Sequence, residues 1–189
     1  MPLTNAHYPN KNPEWLLSGR PTGLYRSNMP RIGVVSDFAS LTTQVMQSAA
    51  LYLQGGDLVT NLTFKSGSTA AVSPAHWWFA LYDDAASPAL LAQSADQGAA
   101  AWAASTAMTL ALASTVTIPH TGIYHAAVMV AATTPPSLLG AGTVDGAVGG
   151  FLADDVVLAQ NSGGSLTDTA PATISGGSAI GFVPRVVAT

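Results

Sequence analysis

The chain contains no cysteine, so a disulfide framework, a thiolate nucleophile and a cysteine-based metal site are all excluded. The same absence leaves the redox compartment open. Glutamate occurs once, at Glu14, which excludes a Glu general base from the rest of the chain and, with no two histidines at i, i+4 around a glutamate, a zincin-type site. Charge is also scarce, at 8% of the 189 residues, against about 25% in ordinary soluble domains. The surface must then be built largely from Ser, Thr, Ala, Gly and Gln. With so little charge to keep free copies apart, much of it is expected to meet partners. No apolar run approaches the roughly 18 residues that a membrane span needs. Met1 is followed by Pro2 and polar residues, without the charged and then apolar regions of a signal peptide, so a soluble protein made in a cytoplasm is expected.

Hydrophobic residues make up 48% of the sequence, and a chain of this length can form one domain burying roughly 70% of its unfolded surface. The charges are unevenly placed. Residues 1–36 hold Lys11, Arg20, Arg26 and Arg31 against Glu14, a balance of +3, whereas residues 37–189 hold Lys65 and Arg185 against nine Asp, a balance of -7. Residues 1–36 also contain Pro2, Pro9, Pro13, Pro21 and Pro30 with no sustained period, which reads as an extended basic N-terminal arm. A disordered tail is the plain alternative. Pro13 to Gly19 could close a single helical turn. Within the arm Lys11, Trp15, Arg20, Tyr25, Arg26 and Arg31 are the candidates for docking a partner. Arg reaches carboxylates bidentately and Trp15 can fill a pocket, so an acidic protein surface suits them better than nucleic acid.

The rest of the chain, 37–189, is expected to be an all-β, antiparallel, jelly-roll-like sandwich, because short alternating runs recur between turn signals. In Leu58 to Lys65 the pattern places Leu58, Thr60, Leu62 and Phe64 on one face and Val59, Asn61, Thr63 and Lys65 on the other. The run His76-Trp77-Trp78-Phe79-Ala80-Leu81-Tyr82 is apolar in both phases: Trp77, Phe79 and Leu81 share one face, and Trp78, Ala80 and Tyr82 the other. Such a strand needs cover on both sides. Ile123 to Val130 has the same character and is its natural partner, stopped by Thr133-Thr134-Pro135-Pro136. Ala95 to Met108 reads as a connection carrying Trp102 inward, with a short helix as the alternative. The glycine-rich last third reads as long loops with two or three short strands. Trp77, Trp78, Phe79, Leu81, Trp102 and Tyr124 are the expected structural core, with Trp77, Trp78 and Trp102 dominating it.

Nothing in the sequence selects a catalytic group. Asp83-Asp84 and Asp154-Asp155 are pairs of the kind that cap turns, and no Gly-x-Ser-x-Gly elbow or phosphate-binding glycine loop accompanies the Ser, His and Asp residues. The expected protein is not an enzyme and needs no metal or cofactor. An enzyme acting on cell-wall polysaccharide through the Asp154-Asp155 pair is the distant alternative.

The ordered set Gly55-Gly56-Asp57-Leu58-Val59-Thr60, Trp77 to Asp83, Leu91-Ala92-Gln93-Ser94-Ala95-Asp96-Gln97, Ala101-Trp102, Thr121-Gly122-Ile123-Tyr124 and Met129 to Thr133 resembles a module of virion proteins from tailed phages of actinobacteria. It covers roughly residues 40–140 and is similar to small β-sandwich minor capsid, head-decoration and minor tail proteins. The resemblance implies a non-enzymatic virion structural protein, most readily a capsid decoration or minor capsid protein bound to the head through its arm. Its partners would be a major capsid protein or tail proteins, and analogy gives a homo-oligomer, possibly a trimer. A tail-tip or fibre protein with a host-glycan-binding sandwich is the second reading. The family supplies no catalytic residue, and the arm lies outside the resemblance.

Overall fold

The computed structural model describes residues 24–38, 41–142, 149–150, 152 and 155–189. Lys11, Trp15, Arg20 and the expected turn at 13–19 lie outside them, as do Asp145 and Asp154. The described residues form thirteen strands and no α-helix. In order these are β1 (Arg26–Ser27), β2 (Ser36–Phe38), β3 (Met46–Leu53), β4 (Leu58–Lys65), β5 (Val72–Tyr82), β6 (Leu90–Gln93), β7 (Ala107–Thr117), β8 (Gly122–Thr134), β9 (Leu138–Gly142), β10 (Ala159–Ser162), β11 (Ser178–Ala179), β12 (Phe182–Pro184) and β13 (Val186–Ala188). All pairings are antiparallel and make three sheets, ordered β11-β10-β3-β8-β5-β6, β1-β13-β4-β7 and β12-β9-β2. The domain is therefore the expected all-β antiparallel sandwich.

The tryptophan strand β5 lies inside the six-stranded sheet with β8 as its long neighbour, Trp77 opposite Val130 and Trp78 opposite Met129. Both faces are covered, by different partners. Trp77, Phe79 and Leu81 join Tyr124, Ala126, Val128 and Val130 of β8 in a core closed by Val59, Leu62, Phe64 and Leu110 of the four-stranded sheet. Trp102 enters this core from the 95–106 connection, which is irregular and turns through positive φ at Gly98 and Ser105. Its ring centroid lies 5.1 Å from that of Trp77 and 5.5 Å from that of Phe79.

Trp78, Ala80 and Tyr82 face the other way, with Met46, Ala127, Met129 and Ala131. Among the described residues no sheet covers this side. Residues 163–177 run across it, placing Ala170 and Ile174 on the aromatic rings with Leu166 at the margin. Polar ties hold this strap: Trp78 Nε1 donates to Thr167 O (2.8 Å), Tyr82 Oη to Pro171 O (2.9 Å), and the Gln93 carboxamide bonds both Asp168 O and the Ala170 N–H. Trp77, Trp78 and Trp102, expected to dominate one core, thus divide between two, because adjacent strand residues diverge. Trp77, Trp78, Phe79, Leu81, Trp102 and Tyr124 are all 0% exposed. Burying one tryptophan removes roughly 150–250 Å² from water, at most about 4–6 kcal/mol.

The structure changes other sequence readings. In β4 the alternation breaks: Val59 is buried and Leu58 is 55% exposed, while Leu62 and Phe64 remain inside. A β-bulge between Val59 and Asn61 shifts the phase, and the amides of Thr60 and Asn61 both donate to Thr189 O at 2.8 Å. The tryptophan strand begins before Pro74, at Val72, and accommodates the proline at a register shift between Pro74 and His76. Four short strands follow residue 158, where two or three were expected. Residues 24–36, read as part of the arm, include β1, which edges the four-stranded sheet beside β13, and Leu24 and Met29, which pack against the main core.

Gly140 sits where β9 is flanked by β12 and β2, opposite both Pro184 and Ser36. A Cβ there would lie 2.1 Å from Val183 O, a backbone atom that cannot swing away. Gly140→Ala is expected to destabilise the domain by about 1–3 kcal/mol in chemical denaturation. Tyr82→Phe, which leaves Pro171 O without its donor, is expected to cost about 1 kcal/mol and to make the 163–177 strap cleave faster in limited proteolysis.

Candidate functional site

Three of the six expected docking residues, Tyr25, Arg26 and Arg31, are described, and they occupy different environments. Arg26 is taken up inside the chain. Its Nε and Nη2 form a fork on the two carboxylate oxygens of Asp57, each at 2.8 Å, and Nη2 also reaches Gln54 Oε1 at 3.0 Å. The pair ties β1 to the turn between β3 and β4, so Arg26 fastens the arm's exit to the sandwich. Tyr25 Oη accepts a hydrogen bond from Arg185 Nη2 at 2.8 Å. Arg31 opens a 3₁₀ turn, Arg31–Gly33, and lines a pocket of about 220 Å³ with Val34, Thr63, Lys65, Ala107, Leu139 and Arg185.

Of the carboxylates weighed as chemical candidates, Asp83, Asp84 and Asp155 are described, and each is engaged. Asp83 Oδ1 accepts from the Ala85 and Ala89 N–H groups, at 3.2 and 2.8 Å, the turn-capping role expected of it. Asp84 pairs with His120 Nε2 at 2.9 Å, and Asp155 accepts from the Leu152 N–H at 2.9 Å. Asp96 holds His76 Nδ1 at 2.8 Å while accepting from the Trp77 and Gly98 N–H groups, locking the 95–98 connection onto β5. Among the described residues no three His, Asp or Glu side chains cluster in a way that could hold a metal ion.

A second opening, a groove of about 580 Å³, lies between the 84–88 turn, the start of β8 and residues 155–160. Asp84, His125, Asp155 and Gln160 supply its polar groups, with Ile123, Val156 and Val157 beside them. His125 stands opposite Tyr82 on the outer face of the six-stranded sheet and is 7% exposed. Burial lowers its pKa, against the opposing charges of Asp83 and Asp84.

The Lys65 and Arg185 cations escaped the sequence reading as members of a site because they lie 120 residues apart. A signal was present, since they are the two cations in the whole of residues 37–189. They meet because β13 lies beside β4 and pairs Val186 with Phe64, one step from each.

Among the described residues, three ionisable groups carry shifts that bear on stability in acid. Hydrogen bonds from the Ser68 hydroxyl and amide and from the Ser137 hydroxyl hold Asp37 below its ordinary 3.8. Burial pushes the Asp96 carboxyl up, but hydrogen bonds from His76, Gly98 and Trp77 outweigh it and leave the group lowered. A lowered His pKa means the unfolded chain binds a proton that the folded one refuses, so stability falls as pH drops below the ordinary 6.5 of His125. The two lowered carboxyls stabilise above 3.8 and lose that contribution as pH falls through their folded values. Urea denaturation is therefore expected to show stability flat near pH 7.5, declining from about pH 6.5, and declining more steeply below about pH 4. His125→Gln is expected to remove the upper decline and leave the lower one.

Compared with known proteins, the chain matches no protein-family model and no curated protein.

Proposed function

We propose that the chain is a non-enzymatic structural protein of a tailed-phage virion, a capsid decoration or minor capsid protein that binds the head surface through its N-terminal arm. The observation that carries the reading is the use made of the polar side chains. Each described aspartate is engaged in a turn, a cap or an ion pair, from Asp37 on the Ser68 amide to Asp168 on its neighbouring hydroxyls. They hold a charge-poor sandwich rigid and converge on no common reacting centre, which suits a platform better than a catalyst. The resemblance over residues 40–140 points the same way. So does the polarity of the chain, a basic arm on an acidic body, because the acidic surface of one copy or of a shell protein can receive Lys11, Arg20 and Trp15.

A tail-tip protein that binds host glycans is the second reading. The groove offering Asp84, His125, Asp155 and Gln160 favours it, since carboxylates and carboxamides hydrogen-bond sugar hydroxyls. Burial of Trp77, Trp78 and Trp102 removes those tryptophans as sugar-stacking platforms.

Deleting residues 1–23 keeps β1, Leu24 and the Arg26–Asp57 fork, and so tests the arm with every described strand retained. Added to purified heads lacking the protein, the full chain is expected to bind and the truncated chain to lose most of its occupancy while retaining its melting temperature. Undiminished occupancy of the truncated chain would overturn the arm's role. Saturable adsorption of the full chain to host cells or a glycan array, without head binding, would replace the capsid reading with the tail reading.

A further inference from the structure

Six Lys and Arg residues serve the whole chain, and four of them, Arg26, Arg31, Lys65 and Arg185, are described. Arg26 is neutralised by Asp57. The other three line the single pocket of about 220 Å³ on the outer face of the four-stranded sheet, and no carboxylate lines it with them. In an acidic protein this brings three cations to one opening. Neither Lys65 nor Arg185 forms an ion pair among the described residues.

Arg185 is held with care. It stands between β12 and β13, where the chain passes from the three-stranded to the four-stranded sheet, and its amide donates to Leu139 O at 2.9 Å. Its Nη2 donates to Tyr25 Oη, while its Nε is buried and has no hydrogen-bond partner. Two cations facing one space repel each other, and an anion held there is the partner that offsets the repulsion between Lys65 and Arg185. Lys65, at the end of β4, and the outward Thr63 two residues before it supply an ammonium and a hydroxyl to the same space.

We propose that this pocket is an oxyanion site that takes inorganic phosphate or the phosphate of a small phosphomonoester. The positive charges of Arg185 and Lys65 complement a compact dianion. The volume equals that of roughly seven liquid waters, room for one phosphate and its hydration or a short organic stem. No aromatic side chain lines it to stack a nucleobase. The site depends on residues of the sandwich itself and stands whether or not the chain is a virion protein.

The test is a titration of the full chain with inorganic phosphate at fixed ionic strength, followed by amide chemical shifts and by calorimetry, with sodium chloride and sodium acetate as controls. Saturable shifts centred on Lys65, Ala107 and Arg185, with affinity lowered at least about tenfold by Lys65→Gln and restored in part by Lys65→Arg, are expected. Lys65 is exposed, so its variants keep the test valid if Arg185→Gln fails to fold. Phosphoserine in a parallel arm separates the two sources: tighter binding than phosphate marks a phosphomonoester site, and exclusion of phosphoserine marks a site for the free ion. Shifts that chloride reproduces, that never saturate, that centre elsewhere, or that Lys65→Gln leaves unchanged would overturn the proposal.

Discussion

A strand with tryptophans on opposite faces can persist in water only if two independent layers cover it, and the architecture follows from that requirement. β5 cannot be an edge or lie on a one-sided sheet. It is flanked by β8 and β6 within its own sheet, roofed by the four-stranded sheet and Trp102 on one side, and crossed by the 163–177 strap on the other. The two covers differ in kind. The sheet covers by interdigitating apolar side chains, whereas the strap is fixed by backbone carbonyls that accept from Trp78 and Tyr82 and by a short antiparallel bridge between Thr173 and Ala89. An indole N–H and a phenol O–H need acceptors once buried, so the aromatic face itself selects a chain segment that presents carbonyls.

How much of this was legible in the sequence depends on the range of the interaction concerned. The faces of β5 and its pairing with β8 follow from period-two patterning, and Trp77 to Tyr82 fall on the two faces as read. The phase of β4 does not, because the bulge at Val59 and Asn61 is stabilised by Thr189, a partner more than a hundred residues away. The strap was read only as glycine-rich loop: Leu166, Ala170 and Ile174 recur every fourth residue without forming a helix, and Pro171 and the bonds to β5 and β6 determine their course. The convergence of Arg31, Lys65 and Arg185 was equally hidden, since composition counts charges without placing them.

The scarcity of charge gives each ionic contact a distinct position. Arg26 with Asp57 ties the first strand to a turn, His76 with Asp96 seats a connection on the tryptophan strand, and His120 with Asp84 joins two turns at the end of the sandwich. Exposed pairs contribute little each, and half-buried, multiply bonded ones such as Arg26 more. Against that background the gathering of Arg31, Lys65 and Arg185 at one opening stands apart from the structural use of charge elsewhere.

The strap also imposes an order on synthesis. β5, β6 and β8 are complete by residue 134, and together they present Trp78, Tyr82, Met129 and Ala131 as an apolar outer face. Leu166, Ala170 and Ile174 emerge only some thirty to forty residues later, and β13, which completes the opposite sheet, later still. At elongation rates of about 5–20 residues per second, the residues of that face are therefore made some seconds before the segment that covers them. Until residues 163–177 are made, the face holding Trp78 and Tyr82 lacks the cover described for it, so burial of the tryptophan strand waits on the C-terminal third of the chain.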